Sequence, residues 1–371
     1  MSLPSLDLLV NALQQPASLA GLSLSQWDLL VRQARQADLL ARLGAGAQEA
    51  GSWAAIPAAP RMHLASALQL AARQHVELRH EVRAIERALR PTGVPLVLLK
   101  GAAYVQTGLR AAQGRMVSDV DILVPREQLA EVESALMMAG WVSTQRNAYD
   151  QLYYRTWMHE LPPLRHMKRG SVLDVHHAIL PPTARYKPDT GLLLRAARAT
   201  GADERVFVLA PVDMVLHSAA HLFHEGELDL GLRGLLDLDA LLRELGQEPG
   251  FWLELIHRAH QLDLERPLFH ALRYTHWMVG TPHPDATVHA LQASPRVRMP
   301  RLQQRVLDAL YLRGLRPEHA STSDAWTPLA RSLLYLRGHW LRMPPGLLAG
   351  HLLRKLGAVV RGERASHAST A

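Results

Sequence analysis

Asp119 and Asp121 stand two residues apart in the run SDVDILV, which reads as a strand. Alternate residues of a strand point to one face, so the two carboxylates share a face while Val120 and Ile122 turn into the core. Such a pair suits a hard divalent cation, which takes oxygen ligands and usually holds phosphate oxygens as well. Upstream, an apolar run over 96–99 ends in Lys100 and Gly101, and 102–109 can begin a helix whose free N–H groups face an anion. A third carboxylate, Asp174, lies in SVLDVHHAI with Val172 and His176 on its own face and Leu173 and Val175 on the other. Carboxylates beside a phosphate-friendly turn imply nucleotide chemistry.

The spacing of the pair recurs at Asp237 and Asp239, but in GLRGLLDLDALLREL, a helical pattern. Residues two apart on a helix are rotated by roughly 200° and cannot share a ligand. His217, His221 and His224 are spaced to fall on one helical face, where zinc ligation, a place in the cleft and core packing are the competing readings. The HExxH pattern of zinc proteases is absent from the segment. Of His176 and His177, only His176 shares the face of Asp174. Arg233 and Asp237, one turn apart, can pair. Trp27, Trp141 and Trp252 read as core anchors.

The strings LLKGAAY, SDVDILV, GW and LDVHH together resemble an uncharacterised nucleotidyltransferase-like family of bacteria, within the DNA polymerase beta-like nucleotidyltransferase superfamily. The resemblance runs from about Trp27 to about Leu245 and is most specific at KG and SDVDILV. It implies that Asp119 and Asp121 ligate metal, that Asp174 is the third member of the set, and that Mg²⁺ (or Mn²⁺) is the cofactor. It also implies a departure: the superfamily's Gly-Ser is replaced by Lys100-Gly101-Ala102, so a serine hydroxyl that helps hold the triphosphate is missing. Lys100, Gly101, Arg115 and Ser118, with Arg110 nearby, are the candidates for nucleotide binding in its place. The family's histidine-rich helix, followed by an arginine, corresponds to His217, His221, His224 and Arg233, which join His176 as cleft candidates.

At 371 residues and 48% hydrophobic content the chain can build two or three units with a sizeable core. Its net charge of +7 comes almost entirely from arginine and favours an anionic partner. The charge is diffuse and aromatic residues make up 5%, so sequence-reading of nucleic acid gains no support. The absence of cysteine excludes disulfides, thiolate zinc sites and cysteine nucleophiles. Neither a signal segment nor an uncharged apolar stretch of about 18 residues is visible, which points to the cytoplasm.

The elements that must position these residues follow from the pattern. The expected fold class is α+β: a small mixed β-sheet nucleotidyltransferase core with helical N- and C-terminal regions. Residues 1–92 form an N-terminal helical region of two helices, separated by LGAGAQEAGSWAAIPAAP with its Pro60 and stopped by Pro91, Thr92 and Gly93. The core spans 93–185, with short strands and a helix over 126–139 started by Pro125. After the turn-rich LPPTARYKPDTG, residues 205–290 form a helical bundle, and 291–371 hold further helices ending in a disordered polar tail. The segment SLLYLRGHWLRMPPGLLAG mixes apolar and basic residues. Pro344 and Pro345 favour a bundle-packing helix there over one lying on a membrane surface.

The expected function is metal-dependent transfer of a nucleoside monophosphate from an NTP to a small-molecule or carrier acceptor. Two alternatives stand beside it: a catalytically degenerate nucleotidyltransferase fold that only binds a nucleotide or a protein, and a zinc-dependent hydrolase built on the His217/His221/His224 helix.

Overall fold

The computed structural model describes residues 7–343 other than 146, 202, 225 and 227, together with residue 346. Seven strands form one mixed sheet in the order β3-β4-β5-β2-β1-β7-β6. They are β1 (Leu96–Leu98), β2 (Asp119–Leu123), β3 (Trp141–Ser143), β4 (Leu164–His166), β5 (Val172–His176), β6 (Arg198–Thr200) and β7 (Asp203–Val208). The class is therefore α+β with helical flanks, as expected.

The centre of the sheet sets the chemistry. β2 lies antiparallel to β1 on one side and parallel to β5 on the other, with Asp121 opposite Asp174 and Asp119 opposite Val172. Val120, Ile122, Leu173 and Val175 are buried, as the alternation requires. The last two strands come from after the turn-rich segment. β7 adds parallel to β1, and β6 folds back on β7 about a turn containing Gly201. Sequence reading left these two strands out: β6 has only three residues, and β7, Asp203–Val208, opens on charged DER and has only the short apolar VFV after it.

Helices enclose the sheet. The N-terminal region departs from the expected pair of helices. Helix Leu24–Gln36 ends where Asp38 takes a left-handed φ of 58°, and the Ala/Gly-rich stretch expected to be a linker forms helix Leu40–Glu49. Its alanines and leucines have strong helix propensity, and it packs along the 32-residue helix Ala58–Leu89. Pro60 sits buried in the first turn of that long helix, where a missing N–H does no harm. The segment after Pro125 opens as a short 3₁₀ turn, Arg126–Gln128, before helix Leu129–Met138.

Helices Pro211–His224, Gly231–Leu245, Phe251–Gln261 and Glu265–Val279 pack against one another. Helix Thr327–Arg342 packs against helix Arg301–Gly314, buries Ala330, Leu334 and Leu341, and leaves Leu336 and Trp340 exposed. The residues expected to form the polar tail, and Pro344 and Pro345, lie outside the described residues. Buried apolar residues from Leu9 to Leu334 belong to one continuous core. Trp27 and Trp141 are fully buried within it, while Trp252 is half-buried at its edge and donates to the Gly246 carbonyl.

Candidate active site

The carboxylates gather at the C-terminal end of β1. The Leu99 N–H donates to the Asp121 carbonyl at 2.9 Å, which ties the turn after β1 to the middle of β2. At Lys100 the backbone takes φ +44°, a conformation that non-glycine residues rarely adopt. The bend carries Lys100 Nζ to 3.1 Å from Asp121 Oδ1. His176, two residues beyond Asp174 on β5, brings Nε2 to 2.9 Å from the same oxygen. The sequence-predicted Asp119, Asp121, Asp174, Lys100 and His176 are thus brought together.

Electrostatics separates the three carboxyls. Burial and the neighbouring Asp121 charge push Asp119 up from the ordinary carboxylate range. For Asp121, burial acts upward, but the Lys100 ammonium and the His176 hydrogen bond outweigh it and hold the group well below that range. Asp174 is raised to about 8 by burial and by the charges of Asp121 and Glu160. Its Oδ1 is buried without a hydrogen-bond partner. Three carboxyls thus stand on two neighbouring strands, one of them forced to hold its proton and carrying an orphaned oxygen, although among the described residues they are not grouped as closely as His159, Glu160 and His176.

The remaining predicted residues divide. Gly101 is buried, and a Cβ there would run into the Arg115 guanidinium and come within 3.3 Å of Val117. Arg115 lies behind that glycine, near enough to Asp119 for their charges to act on one another, with Nε 2.8 Å from Asp237 Oδ2. Arg42 Nη2 reaches the other oxygen of Asp237 at 2.6 Å. Asp237 of the second Asp-x-Asp copy is therefore a buried anchor for two arginines, while Asp239 accepts from Arg243 and Thr281. Arg233 pairs with Asp38 at 2.6 Å instead of with Asp237, because the two arginines already occupy that carboxylate. This places Arg233 toward the N-terminal helices. Ser118 is exposed immediately before β2, and Arg110 Nη2 is engaged by Glu49 at 2.5 Å.

The histidine helix Pro211–His224 packs against helix Lys100–Thr107, where Ser218 hydrogen-bonds the Tyr104 hydroxyl. Burial holds His217 well below its usual value, helped by the charges of Lys100, His221 and His176, with Asp121 acting the other way. His217 therefore borders the carboxylate centre, and the half-buried His221 lies beside it with ring centroids 6.5 Å apart. His224 turns into the core, edge-on to Tyr186 at 5.6 Å. The helix's histidines do not assemble into a metal-ligating group among the described residues.

A group that does was missed. His159, Glu160 and His176 can each offer one ligating atom, all within 4.8 Å of one another. The dipeptide His159-Glu160 follows helix Ala148–Trp157 in a stretch without periodicity, and its only local cue is Pro162-Pro163 just after it. Elsewhere, His177 lines a separate cavity of about 360 Å³ with Pro125, Arg126, Lys187 and Asp189, beyond the C-terminal ends of β2 and β5.

The profile of a protein family described as uncharacterised nucleotidyltransferase matches residues 23–280, and the chain belongs to that family. The match spans the three carboxylates, the Lys100-Gly101 turn and the histidine helix. No curated protein and no solved structure matches the chain.

Proposed function

We propose that this member of the uncharacterised nucleotidyltransferase family transfers a nucleoside monophosphate from an NTP to a hydroxyl of a small-molecule or carrier acceptor, in the cytoplasm, with Mg²⁺ or Mn²⁺ held by Asp119, Asp121 and Asp174. The observation that carries this reading is the pairing of Asp121 with Asp174 across parallel strands, with Asp119 on the same strand face and the orphaned Asp174 Oδ1 beside them. When bound, the ion supplies positive charge to the triphosphate and to the acceptor oxygen. Lys100 adds a point charge at the turn and orients the phosphates that the missing serine would have held. Asp174, protonated in the ion-free chain, would give up its proton when the ion's charge is present and, once ionised, could take the acceptor hydroxyl's proton as pyrophosphate leaves. His217 and His221 line the far wall and exclude water.

The test is incubation of the protein with each labelled NTP, Mg²⁺ and cell extract, followed by identification of whatever becomes labelled. Label should pass to one acceptor class. It should be lost in Asp119→Asn and Asp121→Asn, each of which keeps side-chain shape while removing a ligand charge. Wild-type turnover in either variant would overturn the assignment.

One contact favours a second reading. Lys100 and His176 both donate to the same oxygen of Asp121, so the carboxylate is already satisfied by the protein. A degenerate fold that binds a nucleotide without transferring it would show saturable NTP binding, insensitive to Mg²⁺, and no labelled product.

A further inference from the structure

We propose that His159, Glu160 and His176 form a second metal site, for Zn²⁺ or a similar borderline divalent ion, next to the carboxylate centre and distinct from it. After helix Ala148–Trp157 the chain turns back along β5. The Leu161 N–H donates to the Val175 carbonyl at 2.8 Å, the His177 N–H donates to the His159 carbonyl at 2.8 Å, and Glu160 forms a bridge opposite His176. These contacts fix the dipeptide His159-Glu160 against the last residues of the strand that carries Asp174.

The side chains complete the cluster. Glu160 Oε2 lies 3.4 Å from His176 Nδ1, and the rings of His159 and His176 are 5.2 Å apart. His159 is 7% exposed, and its Nδ1 is buried without a hydrogen-bond partner. A native interior rarely leaves a buried ring nitrogen unmatched, so this atom is a second, independent sign of a ligand. Tetrahedral ligands about 2.1 Å from zinc stand roughly 3.4 Å apart, close to the separation Glu160 and His176 already have.

Two imidazoles and one carboxylate select for borderline metals rather than Mg²⁺, and three protein ligands leave a position for a further one. The two sites meet in one side chain. With Nδ1 on the ion, His176 must carry its proton on Nε2, the atom 2.9 Å from Asp121 Oδ1. That is the carboxylate–histidine–metal relay by which an outer carboxylate fixes a ligating imidazole, and here it fixes the catalytic carboxylate in return. His176 is thus a positioning residue for Asp121.

The inference rests on the fold and not on transfer activity, so its test is spectroscopic. Full-length protein, dialysed free of metal, is titrated with Co²⁺ and read by its visible d–d absorption, with Zn²⁺ as competitor. One equivalent of Co²⁺ should give bands of low-symmetry nitrogen–oxygen coordination that Zn²⁺ abolishes. Glu160→Gln and His159→Ala should weaken that binding at least tenfold with far-UV circular dichroism unchanged, whereas Asp119→Asn should leave the bands in place. Absence of a stoichiometric ion in the wild type would overturn the site, as would bands that survive both Glu160→Gln and His159→Ala. Bands that behave as expected in a protein that transfers no label would count against the transferase reading alone.

Discussion

At the scale of single residues, the site is a set of charges that restrain one another, and pH exposes the restraint. Asp174 holds its proton to about pH 8 in the folded chain, while an unfolded aspartate releases it near 3.8. The folded state therefore binds the extra proton between these values, and this group's contribution to stability falls as pH rises through that window. A divalent cation removes the penalty by neutralising the ionised form. The rise in melting temperature on adding Mn²⁺ should accordingly be larger at about pH 8 than at about pH 6. Equal increments at both would show that Asp174 is not a ligand. Lys100 makes a second prediction. Lys100→Ala removes a charge-assisted contact, so the apparent KM for NTP should rise roughly tenfold with a smaller change in kcat. Unchanged nucleotide kinetics would reduce Lys100 to a partner of Asp121.

At the scale of elements, the turn that presents Lys100 and Gly101 is braced from behind. Asp237 on helix Gly231–Leu245 joins Arg42 of helix Leu40–Glu49 to Arg115 of the segment before β2, and its side chain is 4% exposed. Asp237→Asn would leave two buried guanidinium groups short of a counter-charge and should lower stability by about 3 kcal/mol. Neutralising Asp28, whose pair with Arg32 is exposed, should change it by no more than about 0.5 kcal/mol. Denaturant unfolding of both variants checks the contrast, and similar losses would dismiss the brace. This brace also marks the limit of what the sequence made legible. Asp119, Asp121 and Asp174 were readable because strand alternation is local, and His217 and His221 because helical spacing is local. The partner of Arg115 was not, since 122 residues separate it from Asp237. The same holds for His159 and Glu160, whose meeting with His176 depends on an antiparallel return without a repeating pattern, and for β6, too short to show one. Helix Leu40–Glu49 failed for another reason: glycine content reads as linker until packing against a neighbouring helix decides otherwise.

At the scale of the whole molecule, the helical flanks share one core with the sheet. Val82, Ile85 and Leu89 of the long helix Ala58–Leu89 are buried, and Glu81 of that helix receives Arg169 and Ser171 from the β4–β5 turn at 2.6–2.9 Å. A chain beginning at residue 90 should lose its cooperative thermal transition and near-UV circular dichroism. A truncated protein that melts sharply would assign the flank a dispensable role. No helix among the described residues is long and apolar enough to cross a membrane. The contact between Lys100 and Asp121 has a last consequence, for the order of events. A bare cation would gain less at this centre than it otherwise could, because at Asp121 it must first displace the ammonium. An incoming triphosphate supplies the displaced ammonium with a new counter-charge, so ion and nucleotide enter as an exchange and each raises the affinity for the other. By reciprocity, the factor by which Mn²⁺ tightens nucleotide binding must equal the factor by which nucleotide tightens Mn²⁺ binding, and Lys100→Ala should shrink both toward unity. Calorimetric titrations in either order would measure it, and coupling undiminished in Lys100→Ala would locate the exchange elsewhere.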